Sequence, residues 1–180
     1  NPIFEATSMH KYDARDFRHI DDNFTVKGAL PEGEQGTDPA TWTWTAGDKV
    51  FLDFVAEAQR QGFKVVLDLV ANHVGRDHPF FQDVLKRGKD SPYAEWFDIR
   101  KFADVHPTTE DLFGKPGGME FKAWDGMNGH LPVFKQDPET GLAKGPYEHM
   151  MAVTRRWLAP NGDAGAGVDG FRLDVANEVP

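Results

Sequence analysis

The run FKVVLDLVANH, Phe63 to His73, places Val65, Val66, Leu67, Leu69 and Val70 almost without interruption. A short, near-continuous apolar run is the mark of a strand buried on both faces in a parallel sheet. A second such strand is predicted in AGVDGFRLDV, where Phe171, Leu173 and Val175 alternate with Gly170, Arg172 and Asp174. Helical spacing surrounds them. In DKVFLDFVAEAQRQG, Val50, Phe51, Phe54, Val55 and Ala58 predict one apolar stripe, with Asp48 as cap and Gly62 as stop. HPFFQDVLKRG predicts a short helix opened by Pro79 and ended by Gly88. PYEHMMAVTRRWL predicts a third, through Tyr147, Met150, Met151, Thr154, Trp157 and Leu158. Helices alternating with buried strands define an α/β fold with a parallel sheet.

Outward from these elements the pattern weakens. NPIFEA reads as the end of a short strand, with Pro2 tolerated near its terminus. Residues 8–48 show no sustained period and read as a long ordered loop rich in Gly, Pro and Asp. The stretch from His73 to Tyr147 far exceeds the roughly 2–6 residues that usually join a strand to its helix. It therefore reads as an inserted subdomain, and GKPGGME within it as a plain loop.

The 180 residues carry 39% hydrophobic and 27% charged side chains, a net charge of −9 and no cysteine. Interleaved basic and acidic residues argue against a nucleic acid or an anionic membrane as partner. No window reaches the roughly 20 apolar residues that span a bilayer. Without cysteine there is neither a disulfide framework nor thiolate chemistry. The opening NPIFEATSMH lacks the charged start and apolar run of a signal peptide and reads as an internal position of a longer protein. Cytoplasm and periplasm both fit, and the oligomeric state is left open.

Residues two apart in a strand share a face. Asp68 and Asn72 then lie on one side of the first buried strand, with His73 where the chain leaves it, and Arg172 and Asp174 on one side of the second. Charges within a sheet are costly unless paired. The economical pairing sets Asp68 against Arg172, with Arg172 also beside Asp174. A neighbouring guanidinium favours the charged form of a carboxyl group, which a nucleophile requires. A purely structural Asp–Arg pair is the competing reading. Asp68, His73 and His78 raise zinc as an alternative, and with it a metal-dependent hydrolase, but their spacing fits a zinc site poorly. His10 and Tyr12 are expected to share a rim with His73 and Asp174. Trp42, Trp44, Trp96, Phe97 and Trp124 lie on predicted loops, where they either stack on sugars or cover the core.

Three of these blocks, LDLVANHVG, GFRLDVANE and NPIFEATSMHKYDARDF, resemble sequence blocks of the α-amylase superfamily of glycoside hydrolases, nearest the neopullulanase/cyclomaltodextrinase group. The resemblance implies part of a (β/α)8 TIM barrel, about strands 2 to 4, with a domain B inserted after strand 3. Residues 1–75 and 146–180 would belong to the barrel and 76–145 to the insertion. It implies a retaining hydrolase of α-glucans, acting on α-1,4 linkages of an oligo- or polysaccharide, with α-1,6 linkages left open. Asp174 would be the nucleophile, Arg172 its electrostatic support and Asp68 the brace of Arg172, while His73, His10 and Tyr12 would line the subsite under attack. No cofactor is required on this reading. Calcium is left open, with Asn72 as the candidate ligand. LPVFK, Leu131 to Lys135, departs from the M-P-K-L-N of many neopullulanase-like members. In the family the general acid is a glutamate after the fifth strand and a second aspartate follows the seventh, so these residues alone are expected to be inactive, and Glu178 reads as a rim or structural residue. A non-catalytic sugar- or partner-binding domain of the same fold is the alternative.

Overall fold

Sequence from Phe4 to Ile20 folds back on itself. In the computed structural model, which describes residues 1–28 and 31–179, β1 (Phe4–Ala6) lies antiparallel to β2 (Ala14–Ile20), with Phe4 opposite Ile20 and Ala6 opposite Ala14. This corrects the expectation of a loop through residues 8–48. The register slips on both sides of Glu5, so no clean alternation marks the strand. The buried set Ala14, Asp16, Phe17, His19 and Ile20 also includes two ionisable residues. A period-2 pattern cannot be read from such a strand.

Helix α1 (Ala46–Arg60) begins earlier than expected, and its cap is Thr45 rather than Asp48. The Thr45 hydroxyl accepts from the Asp48 amide at 3.0 Å and the Asp48 carboxylate accepts from the Thr45 amide at 2.9 Å, a reciprocal capping box. Its buried stripe is narrower than predicted: Phe51 and Val55 are inside, whereas Val50 and Phe54 are exposed. Strand β3 (Val66–Leu69) follows, then α2 (Pro79–Arg87), opened by Pro79 and closed by Gly88 at φ 58° as expected.

The segment between α2 and the next long helix holds two small antiparallel pairs, β4 (Ile99–Lys101) with β5 (Glu120–Phe121) and β6 (Gln136–Asp137) with β7 (Gly141–Leu142). A bridge from His73 to Val133 ties it to the end of β3, and one from Phe97 to Phe134 closes it on itself. Helix α3 (Lys144–Leu158) buries His149, Met150, Val153 and Trp157, while Tyr147, expected on that stripe, is exposed.

Strand β8 (Gly170–Leu173) pairs parallel with β3 in the register Val66–Gly170, Leu67–Phe171, Asp68–Arg172 and Leu69–Leu173. Parallel pairing and the Asp68–Arg172 juxtaposition match the expectation. Burial on both faces does not, since Val66 is 57% and Leu173 54% exposed. The physical reason is the width of the sheet. Each strand has only the other as a partner among the described residues, so the outer flank stays bare.

One contiguous core joins these elements. Phe4, Phe17, Phe51 and Trp157 form its barrel side, with the Trp157 indole donating to the Phe17 carbonyl at 2.9 Å. Phe81, Phe97, Phe121 and Phe134 continue it toward the segment between α2 and α3. Trp96 and Phe97, expected on loops, are buried in this core. Among the described residues no helix is long and apolar enough to cross a membrane.

Candidate active site

Parallel pairing puts the ends of β3 and β8 side by side, and the charged side chains meet there. One Arg172 guanidinium nitrogen, Nη1, donates to Asp68 Oδ1 at 2.8 Å and to Asp174 Oδ1 at 2.5 Å. Asp68 is 8% exposed and the Asp174 side chain 13%, while Arg172 is 55% exposed. The group therefore forms an open shelf whose carboxylates are shielded and whose guanidinium meets solvent. Hydrogen bonds to Asp68 and then Asp174 raise the pKa of Arg172 above its ordinary value. The Asp174 amide continues the ladder by donating to the Leu69 carbonyl at 3.0 Å. Immediately after it, Val175 adopts φ 42°, a left-handed conformation uncommon for a β-branched residue, and the chain turns away.

Tyr12 reaches the same group from the β1–β2 loop, its hydroxyl donating to Asp68 Oδ2 at 3.0 Å. Burial, then the bond to Asp68, raises its pKa. The loop is held by Lys11 at φ 65°, whose buried ammonium donates to Asp21 at 2.6 Å and to the Ala6 carbonyl at 3.0 Å. Gly75 secures its other side: a Cβ there would lie 2.4 Å from the Asp13 carbonyl oxygen, so only glycine permits this approach. His10 stands at the outer edge, stacked on Tyr12 with ring centroids 6.1 Å apart.

His73 is 1% exposed. The Asn72 amide donates to its Nδ1 at 3.2 Å, which puts the ring proton on Nε2, and that nitrogen has no partner among the described residues. Burial lowers the pKa of His73 against the opposing pull of the Asp174 carboxylate, so the ring is a neutral donor. Trp124, which sequence alone left undecided, covers it, with centroids 5.7 Å apart and an interplanar angle of 26°. No sequence signal distinguished Trp124 from the other loop tryptophans.

His78 does not join His73. It packs against Phe17, Phe80 and His149, so the trio considered for zinc is not assembled. Calcium takes 6–8 oxygen ligands. Among the described residues no three acidic or histidine side chains gather to hold an ion; Asn72 meets His73 through its amide nitrogen, which does not bear on the carbonyl oxygen that calcium would take.

Removing one hydroxyl tests the geometry. Tyr12→Phe leaves Asp68 Oδ2 without its O–H donor and is expected to cost about 1 kcal/mol of stability in denaturant unfolding. No loss would mean that the phenol does not support Asp68.

Polar groups gathered where parallel strands end are the arrangement of barrel and open-sheet enzymes. The catalytic-domain model of the alpha-amylase family matches residues 46–180, and the chain belongs to that family. It is 35% identical over 179 residues to the maltogenic alpha-amylase of Bacillus acidopullulyticus, covering 99% of this chain and 23% of the relative. It is 32% identical to neopullulanase 2 of Thermoactinomyces vulgaris, with the same coverage of 99% and 23%. Among solved structures it superimposes on the debranching enzyme from Nostoc punctiforme with a TM-score of 0.67 and 29% identity, covering 98% of this chain and 28% of that one. Cyclic alpha-maltosyl-(1→6)-maltose hydrolase from Arthrobacter globiformis, in complex with its cyclic saccharide, aligns with a TM-score of 0.66 and 28% identity over 99% of this chain and 31% of that one. The fold is thus a portion of a (β/α)8 barrel, and the chain spans about a quarter of the length of the curated relatives it matches, 23% for the first two.

Proposed function

We propose that this chain supplies the nucleophile half of the active site of a retaining α-glucan hydrolase. The observation that carries the reading is the Arg172 nitrogen bridging Asp68 at 2.8 Å and Asp174 at 2.5 Å at the ends of adjacent parallel strands. In the first step a carboxylate oxygen of Asp174 bonds to the anomeric carbon as the glycosidic C–O bond breaks. A general acid elsewhere in the protein protonates the departing oxygen. Water then releases the sugar from Asp174 and its proton passes to that second group, now acting as base. Asp68 holds Arg172 in place, His73 Nε2 donates to a sugar hydroxyl, and Tyr12 with His10 walls the same subsite.

On this reading residues 1–75 and 146–180 belong to the barrel around strands 2 to 4, and residues 76–145 form the insertion after strand 3. The substrate is an oligo- or polysaccharide with α-1,4 linkages, and α-1,6 linkages fall in the same class. The double displacement is written with carboxyl groups and water alone, so no cofactor is proposed. Since a second carboxyl group roughly 5–5.5 Å from the nucleophile is required and is assigned to another part of the protein, the 180 residues alone are expected to be inactive. Stereochemistry tests the mechanism. NMR of maltooligosaccharide cleavage by the full-length protein should detect the α-anomer as the first product, whereas initial release of the β-anomer would overturn the double displacement.

A further inference from the structure

A cavity of about 470 Å³ lies between the loop at Glu34–Thr37, the start of α2 and helix α3, a size within the roughly 300–1,000 Å³ of small-molecule pockets. None of Tyr12, Asp68, His73, Arg172 or Asp174 lines it. We propose that it is a second binding site, taking a neutral polyhydroxylated ligand of mono- or disaccharide size.

Two buried histidines carry the argument. His78 is 3% and His149 5% exposed, and their rings stand 6.5 Å apart at 86°. His78 Nδ1 accepts the Phe80 amide at 3.2 Å, so its proton sits on Nε2 and that edge is a donor. The Nδ1 of His149 is buried with no partner among the described residues. In a neutral ring that nitrogen either donates or accepts, and here it does neither. Burial lowers both pKa values, His78 to about 3 and His149 to about 4, so the rings stay neutral through the physiological range. A second buried polar atom without a partner, Nε of Arg15, belongs to another lining residue and can only donate.

Three of the charged residues around the cavity, Arg18, Asp16 and Glu34, are occupied with one another. Arg18 bonds Asp16 at 2.6 Å and Glu34 at 2.8 Å. A free anion would face Asp16, Glu34 and Asp83, and a free cation would face Arg15 and Arg18. A ligand bearing hydroxyl groups donates and accepts without net charge, which suits a bare His149 nitrogen in either tautomer beside two donors. The wall is flat and aromatic, Phe80 stacking on Tyr93 at 4.1 Å and 16°. Gly36 sits so close to Phe80 that a Cβ would meet its ring at 2.6 Å, which brings the loop down over that wall.

Maltose is the probe. In ¹H–¹⁵N spectra of the 180-residue chain it should shift the amides of Gly36, Phe80 and His149 saturably. The shifts should persist in Asp174→Asn, weaken in affinity at least about tenfold in His149→Phe, and return in His149→Gln, whose amide can both donate and accept. Shifts absent into the high-millimolar range, or unchanged in His149→Phe, would mean a water-filled cavity only and overturn the proposal. Loss of the shifts in Asp174→Asn would assign them to the other site and overturn it equally. Should His149→Phe fail to fold, NOEs from maltose to the Phe80 and Tyr93 rings decide, and their absence overturns it. Retained turnover in Asp174→Asn would defeat the hydrolase reading while leaving these shifts intact, so the two failures are distinct.

Discussion

Asp174→Asn in the full-length protein is expected to lower turnover of maltooligosaccharide by about a thousandfold or more, the scale set by removing a covalent nucleophile. The substitution keeps the shape of the side chain and removes the attacking charge. Arg172 retains Asp68 at 2.8 Å, so its position survives, and circular dichroism with thermal melting should find the fold intact. A smaller variant separates nucleophile from bystander. Asp174→Ala opens space for azide, which can bond to the anomeric carbon as the glycosidic bond breaks and yield a glycosyl azide of inverted configuration. Asp174→Asn turnover within about tenfold of the parent, with the fold unchanged, would reduce the Asp68–Arg172–Asp174 group to a strand clamp.

That group was legible because its spacing is local. The two-residue period put Arg172 and Asp174 on one face, and the cost of an unpaired charge demanded Asp68 opposite, which the register delivers. The helices α2 and α3 were legible for the same reason, each carrying its own stripe or turn signals. Strand β2 was not, because its interior is built from Asp16, paired with the neighbouring Arg18, and His19, whose partners Glu34 and Asp48 lie at distances the chain order hides. The exposure of Val66 and Leu173 was equally hidden, since an apolar run reports what a residue prefers and not how many strands flank it. Trp124 became visible as part of the site only when the bridge between Ala123 and Pro132 brought its loop over His73.

The polar interior behind β2 supports the second large effect. His19 is 1% exposed and is gripped at both nitrogens, Nδ1 by Asp48 at 2.8 Å and Nε2 by Glu34 at 2.9 Å. Two carboxylates on one imidazole require both ring protons, so the ring is an imidazolium. Burial alone would lower the His19 pKa, but the bond to Asp48, the charge of Asp16 and the bond to Glu34 outweigh it and raise the value above 6.5. Asp48 and Glu34 are likewise penalised by burial, yet their bonds, to His19 foremost for Asp48 and to the Thr43 amide for Glu34, hold them below 3.8 and 4.5. Asp48 also receives the Ile20 amide at 2.8 Å and Arg156 at 3.3 Å. It thereby fastens α1, β2 and α3 together. Asp48→Ala deletes one partner of a buried charge network and leaves His19 and Arg156 under-compensated, so unfolding free energy should fall by about 3–5 kcal/mol. The sign with pH follows from linkage. The raised His19 contributes fully below its unfolded value of 6.5 and loses its contribution as pH rises through the folded value. The depressed acids contribute above 4.5 and lose their contributions as pH falls through their folded values. Stability from this network therefore has a plateau between these limits and declines on both sides. His19→Gln should remove the alkaline decline. Urea unfolding of the chain from acid to mildly alkaline pH reads both effects, and a loss below about 1 kcal/mol in Asp48→Ala would mean that the network does not bear on the fold.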